Sequence, residues 1–534
     1  MQDALTARQA FAACMRDSAK LAACTIVRNN AEPAGSDMMR LWNSLFPDRR
    51  NKLRQAIRAA MDANDLKAAV TAHRELSLLE PRNADHWLEF ARALHQTGEP
   101  REAITAYQKA LACGGAPEKI HMQLGLLHTE LCEHGCAIEE LRKVIALVPD
   151  DADALCMLGA VLSDCRRFDE ATAVLDRALK LRPDFSVPHF NLGLIHFEHG
   201  DFAAAQRAFD QTMALIRGAG WNDDPVGRLG RDPQPPYADQ EMGVNTVKLR
   251  HDCEQLDYLL ERGRLPAQYG AVRDDYRSLL AELGGDDTAG RVTAFDRQRH
   301  PLVARTFKRP FHIAPEPASS GALLNPDLDY GEIEQRYLSG QPQLTVVDGL
   351  LKPAALETLR QFCLESTIWH DVKAGYLGAY FQEGFSSEVL LRLAWELRER
   401  MPHVFHNLPL QMMWGFKYDH RYSGINTHAD AAAVNVNFWI TPDKANLDPA
   451  TGGLLVYPHD APQDWGFNKF NIDVKSMDAY LESVGSVPVR VPYRANRAVI
   501  FDSDLYHASD SPRFREGYLN RRINITLLYG LRGA

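Results

Sequence analysis

One spacing dominates the first half of this chain. Ala91, Gly125, Gly159 and Gly193 stand 34 residues apart, and so do Ala69, Ala103, Ala137, Ala171 and Ala205. Proline closes several of the units, at Pro81, Pro149 and Pro183. The unit from Ala154 to Asp184 displays the logic: two stretches of apolar residues at helical periodicity flank a short polar turn. Gly159 and Ala171 are small where paired helices must cross closely, and Pro183 stops the second helix before the next unit begins. A helix pair repeated at fixed period stacks into an α-solenoid, because one pair alone cannot bury its apolar face.

Together with Trp87 in the aromatic position near the start of its unit, these residues resemble the tetratricopeptide repeat over about five units, 50–219. The end units depart from the pattern: Ile57 stands where a small residue belongs, and Arg217 replaces the closing proline. The resemblance implies a concave groove that takes peptide segments or partner proteins; a rigid scaffold or dimerisation surface is the plainer alternative.

At 534 residues the chain exceeds what one hydrophobic core usually serves. The expected organisation is an N-terminal helical segment (1–49), the repeats (50–219), a helical connector and linker (220–325) and a C-terminal domain (326–534). The formal charge of -10 is spread along the chain, which argues against nucleic acid or an anionic membrane as the main partner. No apolar run is long enough to cross a bilayer, and Arg8, Arg16, Asp17 and Lys20 interrupt the N-terminus where a signal peptide would be continuously apolar. A cytoplasmic location is the resulting expectation. Cys132 and Cys136 lie at helical spacing with no second thiol pair, so they are expected to be reduced thiols and not a zinc site.

Within the connector, a Pro- and Gly-rich stretch (221–237) ends the repeats, helices are expected over about 244–262 and 269–283, and Pro310–Asp327 suggests a linker. From about Thr345 the pattern changes to short runs rich in β-branched and aromatic residues, separated by turn signals such as Gly452-Gly453. Such runs point to an antiparallel sandwich or barrel. Three sites fall within that frame. His428 and Asp430 form an HxD, and on an extended strand residues i and i+2 face the same way. His507 lies just past a strand-like run ending at Phe501. Arg522 lies 15 residues further on, with Asn524 and Thr526 on its face. Two imidazoles and one carboxylate on one face of an ion leave three positions open.

This ordered set resembles the iron(II)/2-oxoglutarate dioxygenases, particularly the prolyl-hydroxylase-like branch, over about 326–534. Arg522-x-Asn524-x-Thr526 is similar to that branch's Arg-x-Ser-x-Thr, and Gly452-Gly453-Leu454-Leu455 to its Gly-Gly-x-Leu turn. The resemblance implies a multidomain α + β chain: an α-solenoid followed by a double-stranded β-helix of jelly-roll or cupin type. It implies iron(II) on His428, Asp430 and His507, with 2-oxoglutarate and dioxygen as co-substrates and ascorbate as an optional accessory. It implies 2-oxoglutarate anchored by Arg522, or by the adjacent Arg521, with Tyr418 in contact and Asn437 near the cofactor; a plain strand hydrogen bond is the alternative for Asn437. His459 and His420 are rival ligands, expected on the surface or the substrate side. Trp414, Tyr376, Tyr380 and Trp439 are candidates for the substrate pocket or for core packing. The expected activity is hydroxylation of a peptide or protein side chain recruited by the repeats. A small-metabolite substrate and a non-catalytic repeat adaptor are the alternatives.

Overall fold

The computed structural model describes residues 47–218, 243–284, 291–315, 321–373, 375–405, 408–419, 421, 424–463 and 465–532. The expected N-terminal segment (up to 46), the Pro/Gly-rich stretch after the repeats and His420 lie outside the described residues. Contact density divides the described chain into two units, one of 47–181 with 462–473, the other of 182–461 with 474–532.

The first unit holds four helix pairs: α1 (Pro47–Asp62) with α2 (Leu66–Leu79), α3 (Ala84–Gln96) with α4 (Pro100–Ala112), α5 (Pro117–Glu130) with α6 (His134–Leu147), and α7 (Ala152–Asp164) with α8 (Phe168–Leu181). The small residues act as their spacing predicts. Ala69, Ala103, Ala137 and Ala171 have no exposed surface. A methyl added to Gly125 would sit 2.9 Å from Leu141, and one added to Gly159 would sit 2.6 Å from Leu175. Side-chain caps start the helices: Asn83, Asp151 and Asp65 each accept a hydrogen bond from the backbone N–H three residues on. Trp87 is fixed by packing and by an Nε1–H bond of 3.0 Å to the carbonyl of Pro81.

The fifth pair, α9 (Ser186–Glu198) with α10 (Phe202–Arg217), belongs to the second unit. Phe190 and Phe209 pack on Phe381, with ring centroids 5.1 and 4.3 Å apart. Two largely buried ion pairs flank them, Arg217–Glu383 at 3.1 Å and Arg398–Glu198 at 2.6 Å. The C-terminal face of the solenoid is therefore part of the next domain's core.

The connector is also packed into the second unit. A two-residue ladder of β1 (Gly243–Val244) with β2 (Thr293–Ala294) accompanies α11 (Thr246–Glu261), α12 (Tyr269–Glu282) and α13 (Pro301–Thr306). Gln255 of α11 donates to the carbonyls of Leu364 and Ser366 at 3.0 and 2.9 Å. His251 packs its ring on Tyr518. In the expected linker, Phe311, Ala314, Leu323 and Leu324 are buried, so its described residues form core and not a free tether.

The C-terminal domain then runs α14 (Tyr330–Ser339), β3 (Leu344–Asp348), α15 (Pro353–Glu365), β4 (Asp371–Val372), β5 (Tyr376–Tyr380), α16 (Glu388–Arg400), α17 (Pro402–Phe405), β6 (Leu410–Tyr418), β7 (Val434–Trp439), β8 (Leu454–Asp460), α18 (Val474–Ser483), β9 (Val489–Val491), β10 (Arg497–Asp502), β11 (Leu505–Ser509) and β12 (Ile523–Tyr529). Seven strands form one sheet in the order β3-β10-β7-β12-β6-β5-β4, and three form a second, β11-β8-β9. Every pairing is antiparallel.

The alternation of strand residues sorts two environments. Val434, Val436, Phe438, Ala498, Ile500, Ile525 and Leu527 face the core under α14, α15 and α16. Their neighbours Trp439, Val499 and Phe501 face Leu454, Val456, Val491 and Leu505 of the smaller sheet. On the central strands β7 and β12 that second face is polar, with Asn435, Asn437, Asn524 and Thr526, all buried. A buried polar face in a β-sandwich costs stability unless its groups are satisfied. No helix among the described residues is long and apolar enough to cross a membrane.

Candidate metal centre

Among the described residues, the His, Cys, Asp and Glu side chains whose donor atoms converge are His428, Asp430 and His507, all buried, with donor atoms within 4.8 Å of one another. Chain geometry brings them together. His428 and His507 face each other across an isolated antiparallel bridge, each backbone N–H donating to the other's carbonyl, at 3.0 and 2.8 Å. Directly opposed residues in such a pair present their side chains on one face. The two rings lie 4.3 Å apart, and Asp430, two residues on from His428, joins them. The Asp430 carboxylate approaches His507 Nε2 at 3.5 Å and His428 Nε2 at 3.8 Å.

Hydrogen bonding fixes which ring nitrogens are available. His428 Nδ1 lies 2.9 Å from the carbonyl of Asn426, and His507 Nδ1 lies 3.1 Å from the carbonyl of Leu505. A carbonyl only accepts, so each Nδ1 carries a proton and each Nε2 is the nitrogen turned toward the carboxylate. This is the outer-shell pattern that orients imidazole ligands on a metal. Burial, reinforced by the neighbouring His507, holds His428 down at about 4, and so neutral at physiological pH. Burial acts to raise Asp430, but hydrogen bonding and charge from His507, with His428 and the Asn435 amide, outweigh it and keep the carboxyl below its usual range. Two imidazoles and one carboxylate suit a divalent first-row metal, iron(II) included.

A cavity between the sheets opens on this face. Its wall carries Trp414, Phe416 and Tyr418 from β6, Asn437 from β7, Asn524 and Thr526 from β12, Ser509 from β11, and Arg522. Arg522 is only 2% exposed. It donates from Nε to the carbonyl of Gly452 at 2.7 Å, from one Nη to that of Gly453 at 3.1 Å, and from the other to Asn524 Oδ1 at 3.4 Å. Its guanidinium lies 4.4 Å from the centre of the Tyr418 ring. No carboxylate pairs with it among the described residues, and two of its five N–H groups remain for a ligand. The Gly452-Gly453 turn is what lets those carbonyls reach it: Gly452 has φ +82°, and a side chain on Gly453 would collide with the carbonyl of Val491 at 1.9 Å.

The adjacent Arg521 points elsewhere. It pairs with Glu254 of α11 at 2.9 Å and with Asp419 at 3.1 Å, and it does not line the cavity. Tyr418 lines the cavity and places its hydroxyl 3.2 Å from Ser509 Oγ. Asn437 lines it as well; its amide N–H donates to Thr526 at 3.1 Å while its Oδ1 has no partner among the described residues. His459 lies outside the cavity wall and bonds Ser486 at 2.7 Å. Of the candidate aromatic residues Trp414 reaches the cavity, whereas Tyr376 and Tyr380 stack behind it and Phe416 on β5. Trp439 is buried 5.7 Å from the Arg522 guanidinium. Sequence reasoning missed Asn435, whose amide donates to Asp430 Oδ2 at 2.7 Å. The signal was present in Val-Asn-Val-Asn, where two amides share the face opposite the valines.

Residues 54–117 and 152–185 match family models of the tetratricopeptide repeat. Mouse protein O-mannosyl-transferase TMTC1 is 24% identical over 164 residues, which cover 29% of this chain and 17% of that protein. The chain thus spans about a sixth of the length of that curated relative. Among solved structures, MamA from Desulfovibrio magneticus RS-1 is 20% identical, covering 32% of this chain and 95% of that one with a TM-score of 0.30. YrrB, a tetratricopeptide-repeat protein with an unusual peptide-binding site, is 16% identical over 34% of this chain and 93% of its own, with a TM-score of 0.29.

Proposed function

We propose that the C-terminal domain is an iron(II)- and 2-oxoglutarate-dependent dioxygenase that hydroxylates a peptide or protein side chain recruited by the repeats. One observation carries the reading. Three ligand side chains converge with both histidines turning Nε2 toward the carboxylate, and a buried arginine with no carboxylate partner among the described residues lines the same cavity. The two antiparallel sheets with the site between them fit the double-stranded β-helix that the sequence resemblance implies.

Iron(II) bound by His428, Asp430 and His507 would supply oxidative decarboxylation of 2-oxoglutarate to succinate and carbon dioxide, coupled to oxygen insertion into a substrate C–H bond. The chain's own residues do the rest. Arg522 offers its two remaining N–H groups, one on each Nη, to the distal carboxylate, charge-assisted bonds stronger than neutral ones. Tyr418, braced by Ser509, supports the guanidinium face. Phe416, Ile425 and Leu454 keep the wall apolar and exclude water from the reacting face. The repeats are of a kind that commonly binds peptides or proteins, which makes a polypeptide substrate the natural partner.

Anaerobic titration of the purified protein with iron(II) and then 2-oxoglutarate tests the assignment. The expected result is a weak visible charge-transfer band of the chelate, absent in His428→Ala. A folded wild-type protein that gives no band and turns over no 2-oxoglutarate would leave the repeats as an adaptor and refute the enzyme reading.

A further inference from the structure

Asp430 is the ligand whose geometry the backbone controls least. His428 and His507 are pinned by their mutual bridge, but Asp430 sits in the loop leading to β7, tied by its backbone N–H to the carbonyl of Ser503 at 3.1 Å. Its carboxylate can present one oxygen or two to an ion. The second choice would take up one of the three positions that co-substrate and dioxygen need. Something must settle the choice, and the nearest side chain able to do so is Asn435.

We infer that Asn435 is a positioning residue that holds Asp430 as a one-oxygen ligand and so sets the number of open positions on the metal. Its Nδ2–H donates to Asp430 Oδ2 at 2.7 Å, a short charge-assisted bond. Asn435 is itself fully buried in β7, between β10 and β12, with its backbone opposite Phe501 and Leu528. A donor mounted on the central strand is as rigid as this fold provides. Its Oδ1 has no hydrogen-bond partner among the described residues, so the amide is poorly suited to the site on stability grounds, and its useful contact is the one to Asp430. An oxygen already engaged by that N–H is a weaker second ligand. The carboxylate plane is thereby fixed and chelation disfavoured.

The inference rests on the proposed metal centre, and metal binding in the full-length protein separates the two. Iron(II) is titrated anaerobically, and cobalt(II) serves as a spectroscopic probe, because its visible absorption strengthens as coordination falls below six. The wild type is expected to bind both metals with a weak, six-coordinate cobalt spectrum. Asn435→Leu, which keeps the branched skeleton and removes the donor, is expected to bind iron(II) about 10- to 100-fold more weakly and to change the intensity of the cobalt band, with circular dichroism and melting retained. Asn435→Ser, whose hydroxyl falls short of Asp430, gives the same readout should the leucine variant fail to fold. Variants that bind both metals with wild-type affinity and spectrum would overturn the role of Asn435 while leaving the centre intact. A wild-type protein that takes up neither metal would overturn the centre and this role together.

Discussion

Arg521 and Arg522 are neighbours with the same chemistry, and the fold assigns them opposite jobs that substitution can separate. Arg522→Lys keeps the charge in the cavity but replaces a planar fork by a single ammonium. The lysine can retain one of the two contacts to a carboxylate and cannot also satisfy the carbonyls of Gly452 and Gly453, which the guanidinium bonds from Nε and Nη. A hydrogen bond to a charged group contributes about 1.5–3 kcal/mol, so losing one should weaken 2-oxoglutarate binding about 10- to 100-fold. Iron(II) affinity should hold, since no ligand atom is touched. Arg521→Lys should do the reverse. It disturbs the pairs with Glu254 and Asp419, lowering stability by about 1–3 kcal/mol, and leaves 2-oxoglutarate affinity unchanged. Isothermal titration of 2-oxoglutarate into the iron-loaded, anaerobic variants, with melting curves alongside, reads both effects. Loss of 2-oxoglutarate binding in Arg521→Lys with retention in Arg522→Lys would refute the assignment.

Three further outcomes follow from packing and burial. A chain cut before Arg182 should stay soluble and keep metal binding, whereas one cut at residue 220 should aggregate, because removing α9 and α10 uncovers Phe381; size-exclusion chromatography distinguishes them. Gly193→Val should destabilise the second unit by about 1–3 kcal/mol, since a Cβ there would lie 2.5 Å from the Phe209 ring; an unchanged melting temperature would contradict that close crossing. Stability should fall as pH drops from about 6.5 toward 5. Burial holds His73 and His312 at about 4 and His251 and His370 well below the usual range, so their protons are taken up on unfolding, each adding about 1.4 kcal/mol per pH unit to the slope. Asp502, which burial raises to about 6, opposes them by up to one proton in that window. His300, raised against its burial by hydrogen bonds to Asp275 and Glu282, gives a stabilisation fully present below about 6.5 and lost only as pH rises above it. A denaturant midpoint flat across that window would refute the prediction.

The repeats were legible because packing geometry is written into them directly: helices that cross at a glycine or alanine every 34 residues leave a period no other fold requires. The convergence of His428 and Asp430 was legible for a related reason, since i,i+2 spacing on extended chain fixes a common face for them. Choosing between Arg521 and Arg522 was beyond the sequence, because adjacent strand residues always point to opposite sides and only register tells which side is the cavity. Here Tyr418 donates its backbone N–H to the carbonyl of Arg522 at 2.9 Å, and that pairing puts the Arg522 side chain on the Tyr418 face. Tyr376 and Tyr380 have the right alternation but sit on β5, one strand too far from the centre of the sheet. The packing of the connector was hidden because its partners are remote in sequence. Lys417, buried with its ammonium against Trp369 and bonded to Tyr518 and the carbonyl of Cys363, belongs to a cluster that α11 completes through His251. No local pattern in α11 announces that role.

The polar face between the sheets also bears on how the domain holds together. Arg522 is a buried cation whose described partners are carbonyl and amide oxygens, and Asp430 is a buried carboxylate bonded to the Asn435 amide beside the rings of His507 and of His428, which burial keeps neutral. Removing either charge from water costs several kcal/mol that these partners only partly offset. Asn437 Oδ1 and Asn435 Oδ1 add acceptors unpaired among the described residues in the same layer. A metal cation at Asp430 and a dicarboxylate at Arg522 would each bring an opposite charge, and ligands that bind there should raise the domain's stability by RT ln(1 + [L]/Kd), about 2.7 kcal/mol at a hundredfold excess over Kd. That coupling lets a thermal-shift screen against divalent metals and 2-oxoacids report on the site before any substrate is known. Because Asp430 and Arg522 line the same cavity, the shifts from metal and 2-oxoacid should exceed the sum of their separate effects if both bind as one chelate.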